Sequence, residues 1–465
     1  MAALRTTSAF KNTKVLILGL GLLGGAESAV RWFCRQGAVV RVTDLKTRVQ
    51  LQPTIRRLRG LKVQYHLGGH RLSDIDWADV VVRNPDVRDT TPELRRAKTL
   101  GKIVANDTTI FFEVCPATVV AVTGTRGKSS TASLIAHILR QGRSDVVLAG
   151  NLPNHGLFDA LDIVPPKGIA VLELSSFQLE LLPNIKRGPH IAVMTNIKVD
   201  HLNRYGSMKK YADAKFNVIR YQRAGDFAIL NADSSAVRSG ARRTKAQVVW
   251  FSDRGAHGSP CFFVRQGTLY EKHGPRVARI ASLRHWHILG DHQRQNLLAA
   301  VAAVRTLGVT VQKIQPAIKT FVPLPHRQEI VRHWLGHDFI NDTTATTPDG
   351  TLAALSVFPR GVFIVGGTDK KLRYKELAKQ FRRRRTRLVL LPGSGTEKLR
   401  RALQQANYRS QMTDVLSMSE AVHQAVAIAA PKQPIVLSPA AASFGLFINE
   451  FDRGKQFIQA VRQLS

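Results

Sequence analysis

Residues Val119–Thr131 read VVAVTGTRGKSST. The apolar run Val119–Val122 has the composition of a strand buried on both faces. A glycine turn follows, and then ASLIAHILR, residues 132–140, whose apolar side chains recur at helical spacing. Strand, glycine turn, lysine, hydroxyls and helix is an arrangement that holds a nucleotide triphosphate. Gly124 and Gly127 let the backbone curl with its N–H groups turned toward phosphate oxygens, and Thr125 and Arg126 complete the turn. The helix N-terminus adds partial positive charge. Lys128 reaches the β- and γ-phosphates, and Ser129 or Ser130 offers a hydroxyl to Mg²⁺. The general pattern GxxxxGK[ST] wants its first glycine where Val122 stands, so this is the shorter GTxGKS[ST] form. The stretch predicts an ATP site.

The 465 residues exceed one domain; at about 100–200 residues each, two to four domains are expected. Hydrophobic residues make up 44% of the chain, enough for ordinary cores. No apolar run approaches the ~18 residues of a membrane span. The opening MAALRTTSAFKNTK lacks the apolar segment of a signal peptide. Cys34, Cys115 and Cys261 are odd in number and far apart, which argues against a disulfide framework or a zinc site. These features predict a cytoplasmic chain without membrane contact. The 68 Lys and Arg against 33 Asp and Glu give a net charge of +35, which raises a nucleic-acid-binding ATPase as one reading. The charge is spread along the chain, however, and no nucleic-acid module accompanies it. Its densest cluster, FRRRRTR at 381–387, is expected to end a helix, where cations favour the dipole. No specific nucleic-acid partner is expected.

Upstream, KVLILGLGLLGGAESAVRWFCRQGAVVRVTD from Lys14 reads as strand, glycine turn, helix and a second strand ending at Asp44. Gly19, Gly21 and Gly24 match GxGxxG, with Asp44 20 residues after Gly24. In this context the pattern is a Rossmann fingerprint. Alone it predicts a dinucleotide with Asp44 on a ribose hydroxyl, as in an NAD-dependent oxidoreductase, or another pyrophosphate ligand such as a UDP-sugar. Downstream, a loop carries Gly150, Asn151 and His155, and Glu173 ends the apolar strand GIAVLE, followed by Ser175, Ser176 and Gln178. A strand-end carboxylate is the usual Mg²⁺ partner of a phosphate loop. Asn196, Asp200 and His201 follow another strand, and Tyr211 and Lys215 share a face of the next helix. A helix is expected from about His292, and FVPLPHRQEI marks a boundary near Pro323. The last third repeats strand, small-residue turn and helix four times without a phosphate loop.

Taken together, GTRGKSS, ELSSFQLE, DHLNRYGSMKKYADAK, GDHQRQN, PHRQE, NDTTATTPDGT, GGTDK and LSPAAASFGLF resemble the Mur ligases in the family's order over residues 120–455. The strings ELSSFQLE and LSPAAASF resemble the members that add D-glutamate to UDP-N-acetylmuramoyl-L-alanine. The resemblance implies an α/β chain of three domains. These are a Rossmann-like UDP-binding domain (1–112), a central P-loop ATPase-type parallel sheet (113–323) and a C-terminal Rossmann-like amino-acid-binding domain (324–465). It implies that ATP phosphorylates the alanine carboxylate and that the D-glutamate amine displaces phosphate from the acyl phosphate. It further implies Lys128 on the phosphates, Ser129, Ser130 and Glu173 on Mg²⁺, His201 on a second Mg²⁺, and a carbamylated Lys215 facing metal. Asn296, Arg327 and Asp342 would contact ATP; Asn151 and Ser175 would contact the UDP-substrate; Thr346, Lys370 and Ser443 would position the amino acid. It makes UDP, not NAD, the ligand of Gly19, Gly21, Gly24 and Asp44. The expected form is a monomer.

The chain departs from the family at four places. Arg126 replaces the usual Asn of the phosphate loop, Thr344 a frequent Lys, Glu450–Phe451 a frequent Phe-Glu, and VVRNPDVR a serine-proline-glycine turn. The last three leave a related ligase with another amino-acid acceptor as the alternative.

Overall fold

In the computed structural model, which describes residues 7–464 apart from 23, 153, 154, 287 and 289, the strands gather into three sheets. The fold is the three-domain α/β arrangement the sequence predicts. Residues 1–6 of the opening segment lie outside the described residues.

The first sheet is wholly parallel, in the spatial order Val63–Leu67, Val39–Asp44, Lys14–Leu18, Val80–Arg83, Ile103–Ala105. This is a doubly wound order, with the chain reversing direction across the sheet between Lys14–Leu18 and Val80–Arg83. Its core is anchored by Phe10, Trp32 and Phe33, whose rings meet edge to face at 5.0–5.3 Å.

The second sheet has nine strands. Its parallel part runs Val146–Gly150, Ile169–Glu173, Thr118–Thr123, Ile191–Met194, Phe227–Asn231, Gln247–Ser252 and Cys261–Arg265. Thr268–His273 and Arg276–Ser282 extend it antiparallel. Strand Thr118–Thr123 is flanked by strands on both sides and by helix Lys128–Arg140, which explains its unbroken apolar sequence.

The third sheet carries an antiparallel hairpin, Glu329–Trp334 with His337–Asn341. Parallel strands Ile435–Leu437, Val362–Gly366, Leu388–Leu391 and Met412–Asp414 follow in space. Helix Lys375–Arg384 ends in Arg382, Arg383 and Arg384, with Arg385 left-handed at φ 51°, so the basic cluster does sit at a helix C-terminus.

The chain divides into two compact units. One comprises Met1–Lys198, Lys209–Trp286 and Gln295–Phe321, and the other Val199–Met208, His287–Arg294 and Val322–Ser465. The first two sheets thus share a unit. Phe158, from the second sheet's helix Leu157–Ile163, packs 5.4 Å from Trp32 and Phe33. Arg83, fully buried, pairs with Glu180 Oε2 at 2.8 Å and Asp89 Oδ1 at 2.6 Å. The helix Asp107–Val114, capped by an Asn106–Thr109 box, runs across position 112.

Candidate active site

In the first unit, the turn after Thr118–Thr123 delivers the chain into helix Lys128–Arg140 through two left-handed glycines, Gly124 (φ 152°) and Gly127 (φ 84°). Both backbone conformations favour glycine, and both leave little space for a side chain. A Cβ at Gly124 would lie 1.9 Å from Thr195 Oγ1, and one at Gly127 would lie 2.2 Å from Asn296 Oδ1. The backbone between them is clamped by the next strand end. Asn196 O accepts from Thr125 N at 2.8 Å, and the Asn196 amide exchanges two 3.0 Å bonds with Arg126 N and O. Thr195 Oγ1 donates to Arg126 O at 2.6 Å.

Lys128 Nζ donates to Thr125 O at 3.2 Å, curled over its own loop. Ser129 and Ser130 are buried in the first helical turn. Lys215 is 2% exposed and donates to Gly124 O at 2.7 Å, with Nζ 4.9 Å from the Tyr211 ring centroid. The Tyr211 hydroxyl in turn meets Thr125 Oγ1 at 3.1 Å. Helix Met208–Arg220 therefore inserts Tyr211 and Lys215 under the phosphate loop. Asn296 touches the loop from helix Asp291–Thr306, where its Oδ1 lies 3.4 Å from Thr131 Oγ1.

Glu173 pairs in register with Val122, at the carboxyl end of the neighbouring strand. It is 2% exposed, and its Oε2 is buried with no hydrogen-bond partner among the described residues. A buried, unpaired carboxylate oxygen is costly unless a cation or donor joins it. One such oxygen on the strand beside the one that leads into the phosphate loop suits Mg²⁺, which keeps several waters and takes few protein ligands. Among the described residues, no group of three His, Cys, Asp or Glu side chains converges as a preformed metal cluster.

Asn151 N donates to Glu173 O at 2.9 Å, with the side chain exposed. Ser175 caps the short helix Ser176–Leu179 in a box with Gln178. Gln178 Nε2 reaches Asp107 Oδ2 at 2.8 Å, and burial pushes the Asp107 carboxyl above the usual range. Gly19, Gly21 and Gly24 are all left-handed at the first sheet's switch point. Asp44 is 5% exposed; its Oδ2 accepts from Leu20 N and Gly21 N at 2.8 and 2.9 Å, and its Oδ1 from Lys46 N at 2.8 Å. The carboxylate therefore shapes the glycine loop itself.

In the second unit, His201 is left-handed (φ 52°), and Asp200 Oδ1 accepts from its backbone N–H at 2.9 Å. Its ring Nε2 lies 3.7 Å from Asp200 Oδ2. Arg327 sits between His326 (φ 67°) and Gln328 (φ 52°), two left-handed non-glycines that fix a tight turn. Asn341 Nδ2 lies 2.9 Å from His326 Nδ1, and burial holds the His326 ring below its ordinary pKa. Asp342 Oδ2 accepts from Ser438 Oγ at 2.9 Å.

Thr346, Lys370 and Ser443 follow His337–Asn341, Val362–Gly366 and Ile435–Leu437, three adjacent strands. Lys370 Nζ donates to Thr346 Oγ1 at 3.1 Å. Ser443 is 3% exposed, and its hydroxyl has no partner among the described residues. Loops at the carboxyl ends of adjacent parallel strands are where open α/β sheets hold ligands.

The comparisons with known proteins cover the same three regions. The Mur ligase middle domain matches residues 122–304, the MurD-like N-terminal domain of Mur ligases residues 13–106, and the glutamate ligase domain of Mur ligases residues 326–441. UDP-N-acetylmuramoylalanine–D-glutamate ligase of Roseiflexus sp. is 38% identical over 461 residues, 97% of this chain and 99% of the relative. The enzyme of the same name from Acetivibrio thermocellus is 34% identical, covering 98% of this chain and 97% of its own. The chain belongs to the Mur ligase family. UDP-N-acetylmuramate-alanine ligase MurC from Thermotoga maritima shares the Mur ligase fold, with a TM-score of 0.62 at 20% identity over 97% of this chain and 99% of its own. As a Mur ligase the chain is an ATP-dependent ligase of peptidoglycan precursor assembly. No helix among the described residues is long and apolar enough to cross a membrane.

Sequence reasoning named Asn196 and Gln178 in the first unit without the roles of Thr195 and Asp107 beside them, and in the second unit it missed Arg453. That arginine is fully buried and donates to Thr343 Oγ1 at 3.0 Å, Thr343 O at 2.9 Å and Ala441 O at 3.2 Å. A signal for it exists: in helix Glu450–Arg462, Arg453 stands one turn before Phe457 in an otherwise apolar buried stripe.

Proposed function

We propose that this Mur ligase joins D-glutamate to UDP-N-acetylmuramoyl-L-alanine at the expense of ATP, acting as a cytoplasmic monomer. The observation that carries the acceptor assignment is the Lys370–Thr346 pair at 3.1 Å together with the buried Ser443 hydroxyl, which follows the strand lying between theirs. One cation and two hydroxyls on adjacent strand ends match the carboxylates of an acidic amino acid. Domains over 1–112, 113–323 and 324–465 would bind the UDP moiety, ATP and the amino acid respectively.

Gly124, Thr125, Arg126 and Gly127 form the phosphate cradle. Lys128 neutralises the β- and γ-phosphates as an alanine carboxylate oxygen attacks the γ-phosphorus, and the bond to the β-bridging oxygen breaks to release ADP. The D-glutamate nitrogen then attacks the acyl carbon. The carbon–oxygen bond to phosphate breaks, phosphate leaves with the electron pair, and the proton that the amine gives up passes to the departing phosphate. Ser129, Ser130, Glu173, His201 and a carbamylated Lys215 would hold Mg²⁺, which screens phosphate charge when bound. Asn296, Arg327 and Asp342 serve ATP. Gly19, Gly21, Gly24, Asp44, Asn151 and Ser175 hold the UDP-substrate, and Asp44 also fixes the glycine loop.

Mass spectrometry of the product from UDP-N-acetylmuramoyl-L-alanine, Mg-ATP and a mixture of amino acids tests this reading. The expected product has gained one glutamyl residue. A product carrying another amino acid would replace the acceptor assignment, and absence of phosphate release with every acceptor would overturn the reaction.

A further inference from the structure

We propose that Arg453 is the positioning residue of the acceptor subsite, setting the spacing between the loops that carry Thr346 and Ser443. The proposal rests on the reading of Thr346, Lys370 and Ser443 as that subsite. Arg453 is 0% exposed, and among the described residues its side-chain hydrogen bonds go to loop atoms. Nε and one terminal nitrogen hold both the hydroxyl and the carbonyl of Thr343, and the other terminal nitrogen holds Ala441 O. The planar guanidinium thus fixes two strand-end loops at one distance, which a flexible ammonium with a single nitrogen cannot reproduce.

From these anchors two short paths lead to the subsite. Thr343 is three residues before Thr346, whose hydroxyl receives Lys370 Nζ. Ala441 precedes Ala442, which bridges Thr368 through bonds of 2.8 and 3.0 Å, and Thr368 is two residues before Lys370. Arg453 and the Lys370–Thr346 bond therefore close a ring of three loops from opposite sides, with Ser443 on the middle loop. The anchor is itself held: Asn341 Nδ2 donates to Gly454 O at 3.2 Å, and Thr343 Oγ1 donates to Glu450 O at 2.9 Å. Burial lowers the guanidinium pKa to about 10 against the opposing charge of Glu450, so the residue stays charged at neutral pH.

The test is the KM for each of three substrates in Arg453→Lys and Arg453→Ala, with thermal unfolding as the check of folding. Arg453→Lys should raise the KM for D-glutamate about tenfold while leaving those for ATP and the UDP-substrate within about twofold. Arg453→Ala should raise it further, and millimolar guanidinium ion should restore part of the loss, which a general defect of folding would not show. Should Arg453→Ala fail to fold, Arg453→Lys decides alone. Equal changes in all three KM values, or none in a folded variant, overturn the proposal. Lys370→Ala separates the two readings: an unchanged D-glutamate KM there overturns the subsite and this proposal with it. A raised KM in Lys370→Ala with wild-type values in both Arg453 variants overturns the role of Arg453 alone.

Discussion

Replacing Gly124 with alanine places a methyl group where the fold has no room for it. The new Cβ would lie 1.9 Å from Thr195 Oγ1 and 3.1 Å from both Asn196 N and Asn196 O. The φ of 152° adds strain of about 1–3 kcal/mol for a residue with a side chain. Thr195 must also rotate away, giving up its bond to Arg126 O and its weaker 3.3 Å bond to Thr123 O, at about 1 kcal/mol. The sum is a loss of about 2–4 kcal/mol from the first unit. Urea unfolding, followed on the transition that Mg-ADP shifts, reads this directly. A double-mutant cycle makes the test specific. Thr195→Ala removes the oxygen that collides, so the double variant should be more stable than the sum of the singles by about 1 kcal/mol or more. Recovery stays incomplete, because the Asn196 backbone contacts and the strained φ persist. Strict additivity, or a Gly124→Ala protein within about 0.5 kcal/mol of wild type, would refute the packing argument.

Glu173→Gln should lower the rate of phosphate release by about 10³-fold or more, by removing the charge of a buried carboxylate beside the loop whose Oε2 lacks a partner among the described residues; single-turnover assays with labelled ATP check this. Lys215→Ala removes both the donor to Gly124 O and the proposed carbamate, and formate or acetate should restore part of the rate if a carboxylate is what the site requires. His326 is held neutral by burial, its pKa below the ordinary value of 6.5. As pH falls below 6.5 the unfolded chain takes up the proton first, so the second unit should lose stability progressively until the lowered folded pKa is passed. His326→Asn, which tolerates the left-handed backbone, should flatten that slope in unfolding measurements across about pH 5–7.

The phosphate loop was legible because its chemistry is local: two glycines, a lysine and hydroxyls within a single turn specify the backbone whatever surrounds it. The same holds for the glycine loop at Gly19–Gly24, although Leu23 within it lies outside the described residues. Pattern alone says less at Asp44. Sequence puts it near the UDP ligand of the glycine turn, and folding adds a structural task by turning its oxygens onto the N–H groups of Leu20, Gly21 and Lys46. The reason is geometric. Its strand runs parallel beside Lys14–Leu18, so its end meets the start of the glycine turn. A carboxylate there satisfies amides that the tight turn leaves without partners.

Lys215 shows what remained hidden and how it becomes visible. Taken in isolation it is a solvated helix lysine, yet Tyr211, Lys215 and Ile219 form one stripe, and all three are buried. A cation inside an apolar stripe must find an acceptor or lose its charge, and here the acceptor is Gly124 O, 91 residues earlier in the chain. Arg453 obeys the same rule, bonding Thr343 across 110 residues. Neither partner follows from local sequence, because both depend on which strand ends the fold brings side by side. The helical spacing that puts a charged residue among apolar neighbours is nevertheless written in the chain itself, and it marks these two positions as ones whose bonding shapes a site.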